Sequence, residues 1–407
     1  MIRHKISEVY TMLIVLFPFT TLFQNYISCL NIVLLIVVIF FMMAMVIGNR
    51  YMGKNRFLWL MICSAIWFIA LLNTSKPALM TNVNMAIYYI FMLIYFMVFL
   101  DKKEQIWETF VKNKRYIYWI TVMYTLLLTV SIFLPSSYIH MKSGGWGDEA
   151  YFVSYAESPN RVGPACIFIL VLMCFLTKEK YKHRKMLLMA IPHIYTVAMG
   201  GSRTYFVLGL CVVLILYYFW IDDQRKFILS LLPLALIAVT IVVKSNMMNK
   251  ILATFQHVDN KIVFWQKLTN TRSIFWVRQL RLFKETSVLH HFIGNGINFT
   301  TYNYGLWAHS DFIEILCSYG YIGLINYITV MIFLIRTFLK KTKVSCLIKG
   351  VSIFIWFFNA FFNFFYCYFC AMLSYPLLLM IISNIRTSQK FKECEDTDSL
   401  CLKKGNI

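Results

Sequence analysis

The sequence predicts an all-α, polytopic transmembrane helical bundle of about twelve spans, with one long outer loop containing an amphipathic helix. Two observations carry the membrane assignment. Of 407 residues, 60% are hydrophobic and only 14% charged, whereas a soluble domain carries about 25% charged residues. Apolar runs of roughly 18–20 residues, the length a bilayer core demands, recur along the chain. A third observation orients them. The net charge is +21, and the basic residues gather in alternate loops. In a soluble chain that charge would suggest nucleic acid; here it reads as topology, and no nucleic-acid partner is expected.

In order, Arg3, His4 and Lys5 precede span 1 (8–24). No small-residue cleavage site follows it, so it reads as a retained span rather than a signal peptide. Span 2 is 29–48, and Arg50, Lys54 and Arg56 separate it from span 3 (57–73). Span 4 is 83–100, and the basic loop 101–115 leads to span 5 (116–134). A polar outer loop, 135–161, precedes span 6 (162–177), which ends at Lys178, Lys180, Lys182, Arg184 and Lys185. The stretch 186–220 is too long for one span and breaks at Gly200-Gly201-Ser202-Arg203, giving spans 7 and 8. Arg225 and Lys226 precede span 9 (227–243), and the longest loop follows, 244–308. Span 10 is 317–338, and a hairpin of spans 11 and 12 fills 350–385 before a polar tail, 386–407. The chain thus divides into N-terminal helices (1–134), central helices (135–243), the long outer loop (244–308), C-terminal helices (309–385) and a cytoplasmic tail.

With both termini cytoplasmic, 27 of the 39 Lys and Arg residues lie inside, and eight of the other 12 sit in the long loop. Long loops vote poorly on orientation, so the bias favours an even span count. Parity then puts Pro159-Asn160-Arg161, the Gly201–Thr204 break and the 244–308 loop on one outer side.

The residues able to do chemistry collect there. A helix start is read at Asn270-Thr271-Arg272-Ser273, since Asn and Thr cap well. At 100° per residue, Arg272 shares a face with Trp276, Gln279 and Phe283; Arg278, Arg281 and Glu285 face away. Arg278 and Arg281 read as a solvated face, whereas Arg272 heads the apolar one. It is either a snorkelling helix end or a cation turned inward to hold an anion. Arg203 is either an interfacial anchor or a guanidinium fork for phosphate oxygens. His309, at the mouth of span 10, suits proton removal from a hydroxyl because imidazole titrates near operating pH; the bland reading is a hydrogen-bonded structural histidine. On the helix it is expected to begin, His309 lies beside Ile313, Leu316 and Gly320. Asp311, Glu314 and Ser318 face the other way. Asp148, Glu149 and Glu157 are alternative bases in the 135–161 loop. His193, mid-span, reads as hydrogen-bonded to a neighbouring helix, though it could line a pathway near Arg203. Cys367-x-x-Cys370 has zinc-like spacing but no nearby histidine, and packing explains it. No metal site is read: the loop lacks Asp-x-Asp, and its histidines are not at ligand spacing.

Gly294-Asn295-Gly296, Ala308-His309-Ser310 and Gly320-Tyr321-Ile322-Gly323 together resemble the signature of the O-antigen polymerase and O-antigen ligase superfamily. Ser202-Arg203-Thr204, Arg272 and Pro159-Asn160-Arg161 are similar to further family motifs. The resemblance covers roughly 155–330, and the first four spans add only topology to it. Ser310-Asp311 departs from the Asn that follows the histidine in many members. The resemblance implies a glycosyltransferase at the outer face of the bacterial cytoplasmic membrane. It would polymerise polyprenyl-pyrophosphate-linked oligosaccharide repeat units into O-antigen, capsule or exopolysaccharide. It also implies Arg203, Arg272 and His309 as catalytic residues, with Arg161, Asn160, Arg278 and Asp311 as substrate-binding ones. No nucleotide, metal or other cofactor is expected, since pyrophosphate is already a good leaving group. Partners would be the lipid-linked oligosaccharides, the bilayer, and the flippase and chain-length regulator of the same pathway. A ligase acting on lipid A core is one alternative. A lipid-linked oligosaccharide flippase or other transporter is another, disfavoured by the expected absence of Asp and Glu from the spans, save Glu8 at the very edge of span 1, and by the lack of an internal repeat.

Overall fold

The structure is a computed structural model that describes residues 2–23, 30–48, 54–140, 150–156, 158–221, 224–229, 231–255, 261–269, 271–305 and 307–384. Asp148, Glu149, Glu157, Asn270 and the tail 386–407 lie outside these residues.

The chain is mostly helical. The first half holds α1 (Ile2–Leu22), α2 (Leu30–Gly48), α3 (Lys54–Leu72), α4 (Lys76–Thr81), α5 (Val83–Lys112) and α6 (Lys114–Ile132). A short hairpin, β1 (Tyr138–His140) with β2 (Ala150–Phe152), pairs Tyr138 with Phe152. Then come α7 (Pro159–Lys178), α8 (His183–Met199), α9 (Arg203–Trp220), α10 (Gln224–Leu229) and α11 (Leu231–Val243). The long loop is itself helical: α12 (Asn246–Phe255), α13 (Lys261–Leu268), α14 (Arg272–Glu285), α15 (Val288–Ile293) and α16 (Phe299–Tyr304). α17 (Asp311–Leu339), α18 (Cys346–Phe362) and α19 (Phe369–Ser383) complete the chain.

Five of these, α5, α6, α7, α9 and α17, are long and apolar enough to cross a membrane, and a sixth crossing arises if the bent pair 227–243 and 246–252 counts as one. α7 is the centre. Its residues Val162 to Thr177 are buried on every side, and α1, α6, α8, α9 and α19 pack around it. A helix that is apolar all round belongs in such a place. At the rim the pattern inverts. α11 is wholly apolar yet has no buried residue, and Phe57, Leu58 and Leu72 of α3 are exposed. Apolar outer surfaces of this kind suit hydrocarbon rather than water.

The glycine motifs have one mechanical explanation. Gly320 takes φ +68° and ψ −170°, which breaks α17 in a region only glycine occupies readily. Its carbonyl neighbours are then taken up from outside the helix. Asn295 N–H donates to Cys317 O and Gly296 N–H to Ser318 O, each at 3.1 Å. A Cβ on Gly294 would meet Ser318 O at 2.2 Å, and one on Gly320 would meet Phe292 O at 2.4 Å. The two backbones touch because neither carries a side chain. The N-terminal helices grip the same loop. Ile297 N–H donates to Thr74 Oγ1 at 2.8 Å, and Asn298 Nδ2 donates to the carbonyls of Ala78 and Asn82. The region expected to add only topology therefore anchors the signature loop.

Candidate functional site

Arg161 of α7, Arg203 of α9 and Arg272 of α14 each lie in the first turn of their helix. None of these first turns holds an acidic residue. The placement runs against the helix dipole, which favours an anion at the N-terminus by about 0.3–1 kcal/mol each. The three ends also meet. Arg203 and Arg272 lie within electrostatic range of each other. Arg161 and Arg272 both act on Tyr368, whose ring meets Tyr205 of α9 edge-on at 5.8 Å. Each catalytic candidate is oriented by a main-chain carbonyl: Arg203 Nη2 donates to Lys267 O at 3.2 Å, and Arg272 Nη1 to Phe362 O. Burial lowers the pKa of Arg272, and its neighbours Tyr368 and Tyr205 oppose that shift; a guanidinium nevertheless stays charged.

Lys250 of α12 joins this group, a residue the sequence did not single out. Its Nζ donates to Gly201 O at 2.9 Å and stands 4.6 Å from the centre of the Tyr151 ring. Arg203 and Arg272 are within its electrostatic range. Nothing in the local sequence of α12 marks it; only the docking of α12 against the Gly201 turn brings it in.

His309 does not begin a helix, as expected, but precedes one. α17 starts at Asp311, and His309 has φ +50°. That left-handed turn is held from both sides of Ala308. Trp276 Nε1 of α14 donates to Ala308 O at 2.7 Å. Glu314 takes the Ala308 backbone N–H, together with the hydroxyls of Thr300 at 2.6 Å and Ser318 at 3.1 Å. The imidazole leans on Phe364, ring centres 5.5 Å apart, and its Nδ1 is buried without a hydrogen-bond partner. Burial, and secondarily Arg272, pushes its pKa down to about 3. The ring is therefore neutral at physiological pH but only weakly basic, and not the group titrating near operating pH that the sequence suggests; bound anionic pyrophosphate would offset the Arg272 part of that shift.

Two of the expected binding residues take other roles. Asp311 is fully buried and accepts from Tyr327 Oη at 2.8 Å, which in turn accepts from Trp356 Nε1 at 3.0 Å. It braces α17 across its break at Gly320 and does not point outward to a ligand. Arg278 is exposed, on the side of α14 opposite the buried Gln279 and Phe283, so it does not share a face with Arg272. Asn160 is half-buried beside Arg161. His193 is buried against a neighbouring helix, with Nε2 3.0 Å from Thr125 Oγ1 and its ring stacked on Tyr124. α17 also begins six residues earlier than its expected span, so Asp311 and Glu314 are buried in the first turn of a membrane-length helix. The expectation of carboxylate-free spans does not hold there, and that argument against transport goes with it. Among the described residues, no group of three or more His, Cys, Asp or Glu side chains is placed to hold a metal ion. No protein-family model, curated protein or solved structure matches the chain.

Proposed function

We propose that this protein is an integral-membrane glycosyltransferase whose donor is a glycan on a polyprenyl pyrophosphate. Within that class it is read as a polymerase of oligosaccharide repeat units, working at the outer face of a bacterial cytoplasmic membrane with both termini inside and about twelve spans. One observation carries the reading: three helix N-termini with an arginine in the first turn, which call for an anion, converge beside a neutral histidine. Arg203 and Arg272 hold the pyrophosphate, and Arg161 widens the positive field toward Tyr368. An acceptor hydroxyl attacks the anomeric carbon, and its proton passes to His309. The anomeric C–O bond breaks, and its electron pair leaves on the terminal phosphate. Oriented donors of this kind stabilise charge that develops in the transition state.

The test is chain extension by the purified protein given polyprenyl-pyrophosphate-linked repeat units, with donor binding measured separately. Arg203→Lys and Arg272→Lys keep the charge and lose the planar fork, so turnover should fall on the order of a hundredfold or more. His309→Gln should lower turnover more than donor binding. Transfer to a lipid A core acceptor without chain growth would assign a ligase instead. Wild-type turnover and binding in both arginine variants would reject the pyrophosphate site and favour transport.

A further inference from the structure

We infer that Lys250 is the group that receives the negative charge created when the glycan leaves, so that the site distinguishes product from donor. This inference rests on the polyprenyl-pyrophosphate reading above and assigns a separate role within it. The charge count motivates it. A donor pyrophosphate is a diester and carries two negative charges. Cleavage of the anomeric C–O bond turns it into a monoester, whose new oxyanion is a third. Arg203 and Arg272 match the first two. Lys250 is a further basic group within range of both; burial, and secondarily those two arginines, lower its pKa to about 7, so an added anion beside it would hold its proton in place.

The local geometry fits a charge held in readiness. Lys250 sits at the turn that presents Arg203, anchored by its bond to Gly201 O. Gly201 has φ +62°, and a Cβ there would lie 3.1 Å from Lys250 Nζ and 2.7 Å from Tyr151 Cε1. The glycine thus lets the ammonium and the aromatic ring close over the turn. α12 is itself fixed, since Asn246 Nδ2 donates to Ala150 O at 2.7 Å and to Met199 O at 3.4 Å. Lys250 Nζ is thus bonded to one carbonyl, from a helix that Asn246 ties to two further backbone segments. An interaction that strengthens only as charge develops accelerates the chemical step, whereas one equally strong in the ground state does not.

The test compares two probes, farnesyl pyrophosphate as the trianion and its P2-methyl ester as the dianion. Both are measured at about pH 7, above the second phosphate ionisation near 6 and no higher than the pKa of Lys250. Wild type should prefer the trianion. Lys250→Met should remove that preference by about tenfold or more, the low end for a hydrogen bond between charged groups, while dianion affinity stays near wild type. Lys250→Arg should keep the preference. If Lys250→Met does not fold, Lys250→Gln keeps a donor for Gly201 O without the charge and carries the same comparison. An unchanged preference, or an equal loss for both probes, would overturn the inference and leave Lys250 as a brace for the turn. Arg203→Ala and Arg272→Ala separate the two levels. If they too leave dianion binding intact, the pyrophosphate reading fails; if they abolish it while Lys250→Met keeps the preference, only the role of Lys250 fails.

Discussion

Replacing Gly320 with alanine tests the contact that organises the site. At φ +68° and ψ −170°, a non-glycine residue costs about 1–3 kcal/mol. The new Cβ would also lie 2.4 Å from Phe292 O and 2.6 Å from Gly294 N. Both are backbone atoms that cannot rotate away, so the loop must move. Moving it strains the bonds from Asn295 N–H to Cys317 O and from Gly296 N–H to Ser318 O, each worth about 0.5–1.5 kcal/mol. Together the local penalty is about 2–6 kcal/mol. The assay is hydrogen exchange at the Asn295 and Gly296 amides in purified, detergent-solubilised protein. Exchange through local opening should rise at least about thirtyfold, the factor for the smallest penalty. Gly305→Ala is the control, since Gly305 also has positive φ but nothing within 4 Å of its Cβ position. Exchange at Asn295 and Gly296 within about threefold of wild type in Gly320→Ala would refute the argument.

Four other outcomes are expected. His309, with a pKa near 3 against an ordinary 6.5, should leave the acid limb of kcat/KM well below 6.5; bound pyrophosphate offsets the charge of Arg272, so the kcat limb should lie at higher pH. The same shift makes the unfolded chain bind the proton more readily, so the contribution of His309 to stability should be full above about 6.5 and fall as pH drops toward 3, and a His309→Gln variant should show a weaker pH dependence than wild type in thermal melts. Arg278→Ala should retain activity within about threefold while Arg272→Ala loses it, because only Arg272 lies at the converging helix ends; equal losses would mean that the α14 faces are misassigned. Glu314→Gln keeps the shape but turns an acceptor toward a donor beside Thr300, Ser318 and Ala308, and kcat should fall more than KM rises, with unchanged values counting against Glu314 as a support for His309.

The sequence conveyed what periodicity and charge can convey. The apolar runs mark helices, and the phase of α14 was legible because helical spacing alone puts Gln279 and Phe283 on one side and Arg278 on the other. Arg203, Arg272 and His309 stood out because each interrupts or borders an apolar run. Long-range partners were not legible. Thr74 meets the loop 223 residues away, and Lys250 joins Gly201 from 49 residues away; no local pattern encodes either contact. Hydropathy discounts Asp311 and Glu314 and so sets the start of α17 too late, whereas Tyr327 bonds Asp311, and Thr300 and Ser318 bond Glu314, inside the bundle.

The meeting of Gly294 and Gly320 also limits how this chain can drift. Each glycine excludes a side chain because of the other's backbone, so neither vacancy can be filled while its partner segment stays in place. Their spacing is just as constrained, since adding or removing one residue between Asn295 and Cys317 would shift the whole of α16 and the His309 turn relative to that junction. Divergent descendants of this ancestor are expected to keep both glycines at fixed separation or to lose both in one restructuring.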